Sequence, residues 1–339
     1  MDMKQIRETA REKMKGYCRV CRFCDGVACA GEVPGMGGIG TGSSFRANIK
    51  ALENVKINLR TLHDAKAPDI SFELFGKKLS MPIISAPITG ATYNMGGALT
   101  EAEFIQAVIS GSKDAGSIGM CGDGGNPVFY DSGLQAINQE GGHGIAIIKP
   151  RENHKVLEMA KRAESIGAMA VGTDVDGAGL VTMALMGQPV GPKTCEELKQ
   201  IISVSNIPFI IKGIMTPDEA EMACEVGADA IVVSNHGGRI LDGTPGVAQV
   251  LPSIAQRVKG KITILADGGV RSGTDVLKYL ALGADAVLVG RPIIVGAFGS
   301  GREGVKLVLE TIANQLKQAM ILTGCKNLQY IKETVSVIY

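Results

Sequence analysis

The sequence predicts a (β/α)8 barrel carrying an N-terminal extension, and three observations point to it. Eight short apolar runs lie between residues 81 and 291, amphipathic helix-length stretches separate most of them, and ionisable residues recur where the runs end. Continuously apolar strands alternating with helices are parallel strands covered on their outer side. Eight such units in about 210 residues fit a closed barrel. An open doubly wound sheet is the competing layout. The barrel is favoured because eight units close naturally and no G-x-G-x-x-G follows the first run.

Residues 1–80 come first and differ from the rest. They hold a charged helix, a Cys/Gly-rich stretch (17–44), a second helix around 44–60, and FELFGKKLSMP, which reads as a small hairpin capping the barrel bottom. No low-complexity linker follows, so residues 1–339 read as one domain, with 1–80 an extension packed on a barrel of 81–339. The runs then follow as MPIISAP (81–87), SIGMCG (117–122), GIAIIKP (144–150), AMAVGTDV (168–175), PFIIKG (208–213), AIVVSNH (230–236), ITILADGG (262–269) and AVLVGR (286–291). HKVLEMAKRAESIGA and TPDEAEMACEVGA both stop at Gly-Ala and lead into the next strand. The second has Thr216 as N-cap, Pro217 at the first helical position and acids in the first turn.

Composition agrees. Hydrophobic residues make up 45% and charged residues 20%, enough apolar surface for a large core; aromatics are 4% with no Trp, so aliphatic packing dominates. The net charge of +1 gives no electrostatic reason to expect nucleic acid or a membrane surface as partner. No apolar run reaches the roughly 18 residues a membrane span needs. The start, MDMKQIRETAREKMKGY, has no signal-peptide segment, so a cytoplasmic protein is expected. Its eight cysteines then read as thiols or metal ligands rather than a disulfide framework.

Catalytic groups of a parallel barrel sit at the carboxyl ends of its strands. Here those ends carry Thr89, Lys149, Asp174 and Asp176, Lys212, Ser234 and His236, Asp267-Gly268-Gly269, and Gly290-Arg291. The last two ends look like a phosphate site, because Gly268, Gly269 and Gly290 let backbone N–H groups approach an anion while Arg271 and Arg291 supply charge. Lys212 suits stabilisation of developing negative charge. His236 can accept a proton near neutral pH, with Asp176 or Asp174 facing it across the mouth. Arg239 can hold a carboxylate through two parallel hydrogen bonds. A structural ion pair is the competing reading for each of these groups taken alone.

Residues 194–335 closely resemble the FMN-dependent α-hydroxy acid oxidase/dehydrogenase family, which includes glycolate and lactate oxidases. FIIKGIMTPDEA, SNHGGRILD, ILADGGVRSGTDVLKYLALGADAVLVGRP and MILTGCKNLQYI carry the resemblance, with weaker matches in NIKALENVKINLRTLHD and GKKLSMPIISAP. The resemblance implies FMN at the barrel mouth and oxidation of a 2-hydroxy acid, or a related activated alcohol, to the keto product. His236 would be the base, Asp176 its partner and Arg239 the carboxylate anchor. Lys212 would stand by the flavin N1/O2 edge and Ser234 against the ring. Asp267, Gly268, Gly269, Arg271, Gly290 and Arg291 would hold ribityl and phosphate. Ala86, Pro87, Ile88 and Thr89 would line the other face of the flavin, with Gly122, Lys149 and Asp174 nearby. It also implies a homo-oligomer of four or more copies.

Departures from the family bear on the substrate. The third run, IAIIKP, lacks the tyrosine usual there, and Tyr17 is the candidate for the one usually supplied by the N-terminal region. The loop VDGAGLVTMALMGQPVGPK has no second arginine, and Asp174 stands where a threonine is usual. Losing these groups costs several kcal/mol of carboxylate binding, taking about 1.5–3 kcal/mol per hydrogen bond to a charge. Simple glycolate or lactate is therefore not the expected substrate, and Lys149 or the N-terminal segment is expected to replace the missing groups.

Cys18, Cys21, Cys24 and Cys29 lie at x2, x2, x4 spacing, outside the family pattern. Zinc, an iron–sulfur cluster, free thiols and redox disulfides all stay open. A cluster would offer electrons a way to a redox partner protein. The string GMGGIGTG (35–42) reads as a flexible loop able to cover the mouth as a lid. Two further functions stand beside the oxidase: a non-redox isomerase of the type 2 isopentenyl-diphosphate kind, and a flavin electron-transfer module built on the cysteines, which would lose nothing in a His236→Ala variant.

Overall fold

The structure, a computed structural model, describes residues 2–180, 183–184, 186–331 and 334–337. The chain starts with α1 (Met3–Lys13) and α2 (Ser43–Asn54), followed by the short strand β1 (Val55–Ile57). An antiparallel hairpin, β2 (Phe72–Leu74) and β3 (Lys77–Leu79), comes next where FELFGKKLSMP predicts one.

Eight parallel strands then close into a barrel in which sequence neighbours are spatial neighbours. They are β4 (Ile83–Ile88), β5 (Gly119–Cys121), β6 (Ile145–Ile148), β7 (Ala170–Asp174), β8 (Phe209–Ile214), β9 (Ala230–Val233), β10 (Thr263–Ala266) and β11 (Ala286–Val289). Closure comes from β11 beside β4, with Val287 opposite Ile83. Each predicted run coincides with one of them, β4 and β8 running one residue further, to Ile88 and Ile214.

Alternate residues of all eight strands fill the interior, including Ile84, Met120, Ile145, Ala170, Ile210, Val232, Leu265 and Leu288. Leu74 and Leu79 of the hairpin join this cluster, so β2 and β3 plug the amino end of the barrel. Each fully buried side chain of this size contributes about 1.5–3 kcal/mol. With that end plugged, the carboxyl end is the open mouth.

The outer helices are α3 (Ala91–Asn94), α4 (Glu101–Asp114), α5 (Pro127–Gln139), α6 (Asn153–Ser165), α7 (Cys195–Ser203), α8 (Pro217–Glu225), α9 (Val247–Val258), α10 (Gly273–Ala281) and α11 (Arg291–Ile321). Capping boxes start several of them: Thr100 with Glu103, Thr194 with Glu197, and Ser272 with Asp275. Thr216 is the N-cap of α8 as expected, but its side chain makes no backbone cap bond and leans toward Glu219 instead. The last helix is two helices joined at Ser300 and Gly301, and it packs on α1 and α4. A final strand, β12 (Val335–Val337), pairs with β1. No helix among the described residues is long and apolar enough to cross a membrane.

The glycine string 35–42 lies over the mouth, and the structure pins it there. The Ile39 N–H donates to Gly238 O at 2.9 Å, and Asp242 accepts from Thr41 and Ser43. The expected loose loop is a fastened cover.

Candidate active site

Three neighbouring strand ends build the centre of the mouth. Lys212 projects from β8, Asp176 follows β7 in a 3-10 turn (Val175–Gly179), and His236 follows β9 in another (His236–Gly238). A bulge in β8 between Lys212 and Ile214 makes the first two compatible. Gly213 there has φ +104°, and a Cβ on it would stand 2.6 Å from the Asp176 side chain. Only glycine lets the carboxylate sit beside Lys212. His236 itself has φ +57°, an uncommon left-handed conformation for a histidine. The Ser234 hydroxyl holds that turn by accepting the His236 N–H at 3.0 Å. Gly238 completes it, with φ +77° and its would-be Cβ 2.4 Å from the Phe45 nitrogen.

His236 Nδ1 lies 3.0 Å from Asp176 Oδ2 and 3.5 Å from Lys212 Nζ. A carboxylate only accepts, so we assign Nδ1–H to Asp176, which leaves the lone pair on Nε2. Lys149 Nζ bonds Asp174 Oδ2 at 2.5 Å beside them, and both are buried. Burial works to raise the Asp176 carboxyl, but Lys212 and then His236 outweigh it and hold the group below the usual carboxylate range. Burial, followed by the Lys212 ammonium, pushes the His236 ring down, with Asp176 pulling the other way. Burial also works to lower Lys212, yet Asp176, Asp267 and Asp174 keep it raised and charged. The trio Asp174, Asp176 and His236 is close enough to hold a cation. Two ammonium groups already neutralise its carboxylates, so its chemistry is that of a proton site.

A pH dependence follows. The neutral ring accepts a proton and the charged ring does not, so turnover is lost as pH falls through the lowered His236 pKa. We expect kcat/KM to hold through the ordinary imidazole range, near pH 6.5, and to fall only below it. An acid limb at or above that range in rapid-mixing flavin reduction would contradict the assignment.

A cavity of about 530 Å³ opens over these groups, within the range of small-molecule sites. Ala86, Pro87, Ile88, Thr89, Gly122, Lys149, Asp174, Lys212, His236, Arg239, Asp267, Gly268, Gly269, Arg271, Gly290 and Arg291 all line it. Two expected residues do not. Ser234 is fully buried behind the ring, serving His236 and Asp267, and Asp176 stands behind His236. The FMN fit rests on what the walls leave unsatisfied. Asp267 Oδ1 is a buried acceptor on that wall without a partner, suited to a ribityl hydroxyl. At the far end, Arg271 and Arg291 donate to backbone carbonyls and have no carboxylate partner among the described residues. Burial first and Arg271 second push Arg291 down to about 9, so an anion such as a phosphate would relieve both.

Arg239 donates to Gly35 O at 2.7 Å, Gly37 O at 2.9 Å and Asn94 Oδ1 at 3.1 Å. All three are neutral, so its charge is unmatched, and burial lowers its pKa. Tyr17 does not line the cavity, whereas Tyr93 does, together with Asn94, Phe129, Leu180, Met183 and Met186. Sequence reasoning missed these, and only the β-strand end at 88–90 hinted at Tyr93 and Asn94. It also missed a buried pair, Arg151 clasping Asp123 with Nε at 2.8 Å and Nη2 at 3.0 Å. Residues 181, 182 and 185 of the arginine-free loop lie outside the described residues.

The four N-terminal cysteines line a separate cavity and form no disulfide. No three of their sulfurs lie within 4.8 Å of one another. Zinc bonded to sulfur at about 2.3 Å needs them roughly 3.8 Å apart, so the zinc expectation finds no support in this arrangement.

Comparison with known proteins follows the same lines. The family described as FMN-dependent dehydrogenase matches residues 35–186 and 180–337. A 2-hydroxyacid oxidase of Dictyostelium discoideum is 33% identical over 323 residues, covering 85% of this chain and 81% of the relative. A 4-hydroxymandelate oxidase of Amycolatopsis orientalis is 33% identical over 330 residues, covering 86% and 89%. The crystal structure of mandelate oxidase with benzoyl-formic acid superposes with a TM-score of 0.81 at 30% identity, covering 98% of each chain.

Proposed function

The chain belongs to the family of FMN-dependent dehydrogenases, and from that premise we propose which of its residues oxidise a 2-hydroxy acid and which acids its pocket admits. The reaction is FMN-dependent oxidation at a CH–OH carbon. Bound FMN supplies the acceptor for the hydride equivalent. The half-buried Asp176–His236 pair carries the proposal. His236 Nε2 takes the substrate hydroxyl proton, and Asp176 keeps the ring in the accepting tautomer and stabilises the cation that forms. Lys212 places a fixed positive charge beside the reacting centre. Arg239, with its unmatched charge, receives the substrate carboxylate.

Tyr93, Phe129, Leu180, Met183 and Met186 give the substrate side of the cavity an apolar wall. This supports a 2-hydroxy acid with a bulky apolar substituent, aryl or branched alkyl, over glycolate or lactate. Apolar contact compensates there for the missing carboxylate-binding groups. The test is an anaerobic visible spectrum titrated with glycolate, lactate, 2-hydroxyisocaproate and mandelate. Bleaching by the bulky acids first is expected. Bleaching by glycolate alone would overturn the substrate class, and no bleaching by any acid would overturn the hydroxy-acid reading.

Arg239→Met is expected to cost roughly 10- to 100-fold in kcat/KM, the equivalent of about 1.5–3 kcal/mol for a charge-assisted contact. Arg239→Lys is expected to recover only part of it, because the planar fork is lost. Both are read in steady-state kinetics, and an unchanged KM in Arg239→Met would remove the anchor role. The same proposal includes an assembly of several copies, a cytoplasmic setting and a redox partner protein. Light scattering of the purified protein tests the first, and a monomer would remove it.

A further inference from the structure

We propose that Cys18, Cys21, Cys24 and Cys29 hold a cuboidal four-iron iron–sulfur cluster in the cavity between the N-terminal segment and the start of α11. All four thiols line this one cavity of about 330 Å³. They are unpaired, and too far apart for a single metal ion to gather without rearrangement. A cuboidal cluster holds its four thiolates farther apart, because several metal and sulfide atoms stand between them. Met14, Met36, Ile294, Val308 and Ile312 give the rest of the cavity an apolar lining.

The electrostatics fit an anionic occupant. Arg7, Arg22, Arg271 and Arg291 line the cavity together with Arg19, whose charge is matched by Glu32 at 2.7 Å, and Asp25 is the only acid among the described lining. Arg271 Nη2 lies 3.5 Å from Cys24 Sγ, and the Val20 N–H donates to Cys18 Sγ at 3.4 Å. Arg291 lies over the Phe45 ring at 3.8 Å, without a carboxylate partner among the described residues. Four thiolates on an iron–sulfide core add negative charge on the other side of the two arginines from the flavin cavity, and N–H groups directed at the sulfurs are the contacts that tune such centres.

The fold gives an independent reason. Residues 14–42 contain neither helix nor strand, and loops beyond about 12–15 residues without secondary structure are uncommon in compact domains. A fourfold cross-link would fix this segment. The segment matters, because it delivers the Gly35 and Gly37 carbonyls to Arg239 and the Met36 carbonyl to Arg291.

The cavity shares Arg271 and Arg291 with the flavin reading, but iron and FMN are measured separately, so the two readings fail separately. The protein is purified without oxygen, then assayed for iron, zinc and acid-labile sulfide, and its dithionite-reduced form is examined by electron paramagnetic resonance. We expect about four irons and four sulfides per chain, with a signal from the reduced cluster. We expect Cys24→Ser to lose most of the iron and the signal while FMN remains, and Cys195→Ser, at an exposed thiol on α7, to keep both. If Cys24→Ser fails to fold, the metal content of the unaltered protein, before and after supply of ferrous iron and sulfide, decides alone. Zinc in place of iron, iron without sulfide, or no metal after reconstitution would each overturn the proposal.

Discussion

A His236→Ala variant is expected to keep its FMN and to leave that flavin oxidised when the substrate is added. The loss in the reductive step is expected to reach at least the 10²- to 10⁴-fold range of a positioned base. The argument is geometric. Among the groups lining the cavity, His236 is the one whose neutral form carries a lone pair while its other nitrogen is tied to a carboxylate, Asp176 Oδ2, at 3.0 Å. Lys149 and Lys212 are tied up with acids, and Arg239 has no proton to lose at working pH. Arg271 and Arg291, at the far end, bond backbone carbonyls that the substitution leaves in place, so cofactor retention separates loss of the base from loss of the site. Single-turnover reduction measured by stopped flow decides. A rate within tenfold of the parent would sink the assignment and return the molecule to the electron-transfer reading, in which His236 is dispensable.

Much of this site was legible because the signals are local. A β-branched run ending in Ser234-Asn235-His236 or in Asp267-Gly268-Gly269 states both the strand and what it delivers. The hairpin plug was legible because Phe75-Gly76 interrupts a short alternating pattern. What escaped depends on contacts between distant segments. Nothing near Arg239 announces that Gly35, Gly37 and Asn94 will bond it. Arg151 and Asp123 lie on separate strand ends, and their pairing exists only once β5 and β6 are adjacent. The family resemblance places Ser234 against the flavin ring, whereas the left-handed turn at His236, in which the Ser234 hydroxyl accepts the His236 N–H, shows only in the structure, because φ is not written in composition. Gly213 is the same kind of case, since its need is set by Asp176 on the neighbouring strand.

Lys212→Met should be the most disruptive single change, in stability as well as chemistry. Its ammonium is buried 3.9 Å from Asp176 Oδ2, and Asp267 and Asp174 also act on it. Removing one partner of a buried ionic group strands the others, at about 3–5 kcal/mol. Lys149 remains, but it is already bonded to Asp174. The chemical loss is expected to be on the order of 10²- to 10³-fold, the usual cost of deleting one preorganised charge or donor at the reacting centre. A purely structural role would lower the unfolding midpoint and leave the pH profile in place. The arrangement here predicts a displaced profile. After burial, the Lys212 ammonium is the main influence depressing the His236 ring, whereas Asp176 raises it. With the ammonium gone and the carboxylate still bonded at 3.0 Å, the ring becomes more basic. The acid limb of kcat/KM should therefore move to higher pH in Lys212→Met, because the protonated, inactive ring now persists further toward neutrality. Pairing the substitution with Asp176→Asn should reverse the direction, since the raising influence is then removed as well. An acid limb that stays put in Lys212→Met would mean that lysine and histidine do not act on each other, however close they stand.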